Sequence, residues 1–251
     1  MSEFQSTTSP KIGRYTAVNF KDKQVKYSVI NGMAVFEGDI VLGKASTIKA
    51  DNSNLSSKGV AHNDPRFRWL NGEVPYHIDP RLPNPDRVTA AIAHWVAHTN
   101  VHFILLDGST MNGYPDRVYF TVDTNCSSQV GKQGGEQLIT LADGCLVGNV
   151  IHEIGHTVGL WHEQSREDRD RYVSIKYENI VPGWEHNFDQ QITDGDDIGD
   201  YDYSSIMHYP ATAFSKNNQP TIVAKNGVAI GQRNGLSDLD IKTVNTLYPR
   251  A

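Results

Sequence analysis

His152-Glu153-Ile154-Gly155-His156-Thr157-Val158-Gly159-Leu160-Trp161-His162-Glu163 contains the pattern H-E-x-x-H-x-x-G-x-x-H, and each fixed position answers a geometric demand of a catalytic zinc site. On an α-helix His152 and His156 lie four residues apart, so both rings project from one face and can grip one cation. Glu153 sits beside them as a base. A helix running on to His162 would carry that residue about 9 Å further along the axis than His156, whereas a Zn–N bond is about 2.0–2.1 Å. The helix must therefore stop, and Gly159 is placed to stop it, because glycine takes left-handed backbone angles freely and lets the chain turn back under the metal. The bland alternative, an amphipathic helix with chance histidines, would produce the five fixed letters in order with a probability below about 10⁻⁴.

The 251 residues, 38% of them hydrophobic, suffice for one large domain or a domain with an extension. A net charge of −6 argues against nucleic acid or an anionic membrane as partner. No apolar run reaches the length of a membrane-spanning helix, and residues 1–10 are too polar for a signal peptide, so an exported protein would already have lost its leader. Cys126 and Cys145 are the only cysteines. Their number alone leaves open one bridge or two free buried thiols.

Residues 1–60 differ in texture from the rest, rich in Ser, Thr, Lys and Asn, with one strong apolar cluster from Val29 to Leu42. Asn31-Gly32 is a turn signal between β-prone runs. The segment has too few large apolar residues to bury a core of its own, and Asp51 to Lys58 reads as an exposed linker of the kind proteases cut. From Trp69 onward the pattern is globular. Val74 to Ile78, Val101 to Leu105 and Val118 to Val122 read as strands, and Pro85 to Asn100 as a helix burying Val88, Ala91, Ile92, Trp95 and Val96. A helix between strands, with a sheet completed before the zinc helix, implies a mixed α/β lobe.

His94 and His98 are also four apart and His102 follows, but no Glu follows the first and no turn brings His102 round. A partly solvated helix flank accounts for them better than a second metal site. The Gly-rich lead-in to Gly135, Glu136, Gln137 and Leu138 suits an edge strand to which a peptide could add; a plain edge strand is the alternative. Six aspartates between Asp189 and Asp202 suggest an acidic surface loop, because Ser205 stands where a calcium loop opened by Asp194 would need Glu.

With the opening motif, Ser205-Ile206-Met207-His208-Tyr209 resembles the astacin family of metzincin zinc endopeptidases. His162 to Arg166, Asp168-Arg169-Asp170, Tyr172-Val173 and Asn245 to Tyr248 extend the resemblance over roughly Trp69 to Tyr248. It implies that His152, His156 and His162 hold one Zn²⁺, that Met207 forms a hydrophobic floor beneath them, and that Tyr209 is a further ligand in the resting enzyme. Glu163 matches the glutamate that the mature N-terminus approaches. Cys126 and Cys145 match a family disulfide. Phe36-Glu37-Gly38-Asp39 matches the F-x-G-D of astacin propeptides, which implies that Asp39 binds zinc in the latent form only, leaving no water to activate.

The resemblance therefore implies an α/β (α+β) metzincin fold of two lobes divided by an active-site cleft. The N-terminal lobe would hold a twisted mixed sheet and two long helices, and the C-terminal lobe would be mostly irregular. Residues 1–60 would be the inhibitory propeptide and linker, and residues 61–251 the catalytic domain, divided into lobes at 61–162 and 163–251. The expected protein is a secreted, monomeric zinc endopeptidase acting on proteins or peptides. It is freed by an activating protease cutting near Lys58 to Ala61, with Glu153 and Tyr209 as catalytic residues and no nucleic-acid or membrane partner. A thermolysin-like enzyme would take its third ligand from a Glu on a later helix, against Gly159, His162 and Met207. An inactive zinc-dependent binding module would not need Glu153 and Tyr209.

Overall fold

The computed structural model of the chain describes residues 11–17, 20–50, 65–190 and 197–250. The expected linker and cleavage point lie outside the described residues, as does part of the acidic loop. The first β-prone runs form β1 (Lys11–Ala17), β2 (Phe20–Ile30), β3 (Met33–Phe36), β4 (Ile40–Lys44) and β5 (Lys49–Ala50), paired antiparallel. The β2–β3 hairpin turns through Asn31 and Gly32 at φ of 49° and 79°, the left-handed pair that matches the twist of adjoining strands. Val25, Tyr27, Ala34, Phe36, Ile40, Leu42 and Ile48 form a small core there, closed by Val130 and Trp161 from further along the chain. This is how a segment short of apolar bulk gains a core: it borrows one.

The globular part continues with β6 (Glu73–Ile78), α1 (Asp86–His98), β7 (His102–Leu105), β8 (Arg117–Val122), β9 (Ser127–Ser128), β10 (Glu136–Leu141) and α2 (Val147–Thr157). β6, β7, β8 and β10 are parallel, and β9 runs antiparallel to β10. Through the single pair Ile40 and Ser128, β4 joins β9, so ten strands follow the order β5-β1-β2-β3-β4-β9-β10-β8-β6-β7. Of the stripe expected on α1, Val88, Ala91, Ile92 and Trp95 are buried and Val96 is not, since it lies a further 100° or so around the helix from Trp95, at the stripe's margin.

The edge expected at Gly135, Glu136, Gln137 and Leu138 falls at the start of β10, which pairs with β8 along its length but with β9 only at Ile139 and Thr140. β10 lies between β8 and β9, and the strand that meets the N-terminal segment is β9. Buried Gln137 accepts from the Gln133 backbone N–H at 3.0 Å and donates to the Gly131 carbonyl at 3.0 Å, folding the preceding loop over that flank.

Cys126 and Cys145 form a disulfide that ties the start of β9 to the approach to α2, with Cα atoms 6.2 Å apart. Both half-cystines are buried in the main core. Replacing both by serine is expected to lower unfolding free energy by about 3 kcal/mol, from the loop-closure entropy of a loop this short. Urea midpoints of the zinc-loaded chain check this; an unchanged midpoint would assign the bridge no stabilising role.

Beyond α2 regular structure is sparse: short helical turns, the β11 (Val173–Ile175) and β12 (Ile222–Ala224) ribbon, and α3 (Asp238–Leu247). An aromatic core of Trp184, Phe188, Tyr201, Tyr209 and Phe214 fills this region. α3 returns to the first lobe, where Val244, Leu247 and Tyr248 enter the main core. The Tyr248 hydroxyl donates to the Val158 carbonyl at 3.0 Å. The main hydrophobic core thus draws residues from both sides of position 162.

Candidate metal centre and active site

α2 carries His152, Glu153 and His156, all fully buried. It ends as the sequence demands. Gly159, at φ of 107°, donates to the His156 carbonyl at 2.8 Å, and Leu160 N–H reaches back to the Gly155 carbonyl at 2.9 Å. These two bonds are the Schellman termination that a left-handed glycine permits, and they turn the chain so that His162 faces the helix.

Each histidine has its Nδ1–H engaged. His152 donates to the Ile206 carbonyl at 2.8 Å, His156 to the Leu160 carbonyl at 2.9 Å, and His162 to a carboxylate oxygen of Glu37 at 2.9 Å. That fixes the tautomer and leaves every Nε2 lone pair turned inward. Asp39 meets them there: its carboxylate oxygens lie 3.2 Å from His152 Nε2, 3.2 Å from His162 Nε2 and 3.6 Å from His156 Nε2. A tetrahedron of zinc bonds about 2.0–2.1 Å long has edges of about 3.4 Å, close to these distances, and one ligand atom from each of the four residues lies within 4.8 Å of the others. Buried His156 Nε2 and Asp39 Oδ1 have no hydrogen-bond partner, as atoms meant for a cation would not. The residues fit Zn²⁺. Among the described residues this is the one His/Cys/Asp/Glu cluster with such convergence.

The electrostatics also call for positive charge. Burial alone would raise the Asp39 carboxyl, but His162 and the neighbouring ring nitrogens hold it well below the usual range. Burial would lower His162, yet Asp39 and Glu37 push it up to about 9. Burial takes His152 down to about 4, with Arg233 acting in the same direction.

The remaining expected residues surround this centre. Met207 is buried beneath α2 with its sulfur against Gly155, where an added Cβ would come within 2.5 Å of Sδ; only glycine admits so close a floor. The Tyr209 ring lies 4.6 Å from that of His162, and its hydroxyl donates to the Glu37 backbone carbonyl. Glu163 is half-buried, accepts from Asp202 N–H at 2.7 Å, and has its carboxyl pushed up to about 8 by desolvation. Glu136 instead engages Arg117 at 2.8 Å and His77 at 3.0 Å on the sheet surface. The His94 pair makes no metal site: His94 Nε2 accepts from Leu236 N–H at 3.0 Å, and His98 Nδ1 donates to the His94 carbonyl at 2.7 Å.

Four contributors escape a reading of the sequence. Glu37 is the partner of His162. Arg233 donates to the Ile206 and His208 carbonyls at 2.9 and 3.1 Å, bracing the turn around Met207. Asp240 accepts from Ser205 Oγ at 2.7 Å and Ile206 N–H at 2.9 Å, holding that turn from α3. Gln164 accepts from Tyr209 N–H at 3.0 Å. Only Asp240 leaves a local trace, in the Ser-x-x-Asp capping pattern from Ser237.

This chain is similar to known proteins. The sequence model of the Astacin peptidase family matches residues 61–249. Zinc metalloproteinase nas-15 of Caenorhabditis elegans is 37% identical over 235 residues, covering 85% of this chain and 39% of its own length. Zinc metalloproteinase nas-14 of the same organism is 40% identical over 261 residues, covering 93% of this chain and 50% of its own. The chain thus spans half or less of the length of these relatives. High choriolytic enzyme 1, a hatching-enzyme zinc-protease of Oryzias latipes, superposes with a TM-score of 0.66 at 33% identity, over 73% of this chain and 94% of that one.

Proposed function

Because this chain belongs to the astacin family of peptidases, we propose that it is a zinc-dependent endopeptidase kept latent by its own residues 1–60. The observation that carries the reading is the convergence of three inward-facing Nε2 atoms and the Asp39 carboxylate, with Glu153 beside them on α2. The likeness to nas-14 extends well upstream of residue 61, in keeping with an N-terminal segment that belongs to the working unit.

His152, His156 and His162 would hold zinc in both forms, and Asp39 in the latent form. When bound, the ion supplies Lewis acidity, lowering the pKa of a coordinated water and polarising the scissile carbonyl. The chain's own residues do the rest. Glu153 takes a proton on its carboxylate and returns it to the leaving amine. Tyr209, released from the Glu37 carbonyl when the segment departs, turns its hydroxyl to the developing oxyanion. Main-chain positioning falls to β9. Ser128 N–H now donates to the Asp39 carbonyl at 3.0 Å, and with the segment gone that edge accepts an extended substrate.

In this reading residues 61–251 are the catalytic domain, its cleft dividing 61–162 from 163–251, and a separate protease makes the activating cut before the cleft opens. Substrates are proteins or peptides. Secretion suits the disulfide, and no helix among the described residues is long and apolar enough to cross a membrane. The acting form is a monomer with neither nucleic acid nor membrane as partner.

The test is hydrolysis of a quenched-fluorescent peptide library by the chain before and after limited proteolysis near residues 51–61, with zinc content and the new N-terminus determined. The uncut chain should be silent and the cut chain active. Chelation should abolish activity and one equivalent of zinc restore it. A cut chain that holds one zinc and hydrolyses nothing would overturn the enzyme reading.

A further inference from the structure

The three ligand histidines are not supported alike. His152 and His156 are fixed by the Ile206 and Leu160 carbonyls, which belong to the catalytic body. His162 is fixed by a side chain of the N-terminal segment, the carboxylate of Glu37 at 2.9 Å. Removing the segment therefore strips the outer partner from one ligand and leaves the other two as they were.

Glu37 is held in place against its own preference. It lies in the turn between β3 and β4 at φ of 45°, followed by Gly38 at 83°. The β2–β3 turn uses Asn31 for the same backbone geometry, and asparagine tolerates it far better than a longer side chain does. A glutamate in left-handed geometry, with its carboxylate fully buried, marks a position fixed by what the side chain touches. Its backbone is also pinned, since the Tyr209 hydroxyl donates to its carbonyl.

Charge points the same way. A divalent cation held by three neutral imidazoles puts two positive charges where His152, His156 and His162 have almost no contact with solvent. Buried charge is stable only when it is matched. Asp39 supplies one negative charge at the ion and Glu37 a second, one ring further out.

We propose that Glu37 is a positioning residue for zinc: through His162 it makes the latent chain hold the ion more tightly than the activated enzyme does, so that the segment retains the metal as well as covering it. This rests on the reading of residues 1–60 as the latency segment. A carboxylate on the outer nitrogen orients the imidazole and raises its basicity, and loss of such a partner weakens metal binding about ten- to a hundredfold. The activated enzyme would lose this contribution together with Asp39.

The experiment measures the zinc dissociation constant of the full, uncut chain by competition with 4-(2-pyridylazo)resorcinol. It uses the Glu153→Ala background, so that no variant cleaves itself. Glu37→Ala should weaken zinc about ten- to a hundredfold. Glu37→Gln keeps the shape and one acceptor for the His162 N–H but loses the charge, and should fall between. That graded rescue, at matched urea midpoints, is not expected of a residue that merely fills space. The same substitutions should leave affinity unchanged once residues 1–60 have been cut away and removed. If Asp39→Asn weakens zinc and both Glu37 variants bind as the parent does, this inference fails while the latency reading stands. If Asp39→Asn and the Glu37 variants all bind as the parent does, this inference fails together with the reading of Asp39 as a zinc ligand, and latency would rest on steric cover. Should Glu37→Ala not fold, the near-isosteric Glu37→Gln decides alone, and parental affinity in it overturns the proposal.

Discussion

Glu153→Ala in the cut chain is expected to lower peptide turnover by about 10³- to 10⁴-fold while leaving one zinc per chain. Proton transfer by a positioned side chain contributes about 10²- to 10⁴-fold, and Glu153 is the carboxylate carried on α2 beside the ligands. Zinc stays because the converging atoms belong to His152, His156 and His162, whose Nδ1 contacts do not involve Glu153. The fold should stay too, since alanine suits the helix interior and a buried carboxylate is not what holds a helix in a core. Initial rates on a fluorogenic peptide, set beside zinc content by atomic emission, read both halves. Turnover at the parental rate would remove Glu153 from the chemistry. Zinc lost in parallel with activity would mean that its role is to build the site.

The second large effect concerns the uncut chain. Asp39→Ala should raise its hydrolysis about a hundredfold above the uncut parent, on the scale of losing charge-assisted contacts worth about 3 kcal/mol or less. It should still fall short of the cut enzyme, because other contacts keep the segment in the cleft. Ile40 stays paired with Ser128 on the sheet, and Phe36 keeps its edge on Trp161 with centroids 6.2 Å apart. Rates from uncut protein, with the chain's integrity followed by mass spectrometry, separate leakage from self-cleavage. A silent Asp39→Ala chain would show that steric cover suffices and that the aspartate is dispensable for latency.

The parts of this site that could be read from sequence obey local geometry. A spacing of four residues puts His152 and His156 on one face of any helix, and Gly159 ends the helix whatever surrounds it. The strands at 73–78 and 117–122 and the helix at 86–98 are likewise set by periodicity. What escaped depends on neighbours distant in the chain. Gly155 is small because Met207 must approach it, and the opening motif does not say which residue arrives from fifty positions away. Glu37 reads as one x in a four-letter pattern until His162 is placed against it. Composition suggests an open backbone at the Gly-rich lead-in to β10. That Gln137 turns its side chain back on this loop is not legible there. The disulfide and the zinc role of Asp39 were implied by likeness to a family, and the structure places those partners together.

α3 has a consequence for how the chain comes off the ribosome. Asp240 grips Ser205 and Ile206, so the floor beneath the metal is finished only when nearly the whole polypeptide has emerged. Residues 11–50, carrying Asp39 and Glu37, emerge first and wait for the pocket they fill. On the proposed reading, synthesis from one end to the other makes the cover before it completes the cutting centre.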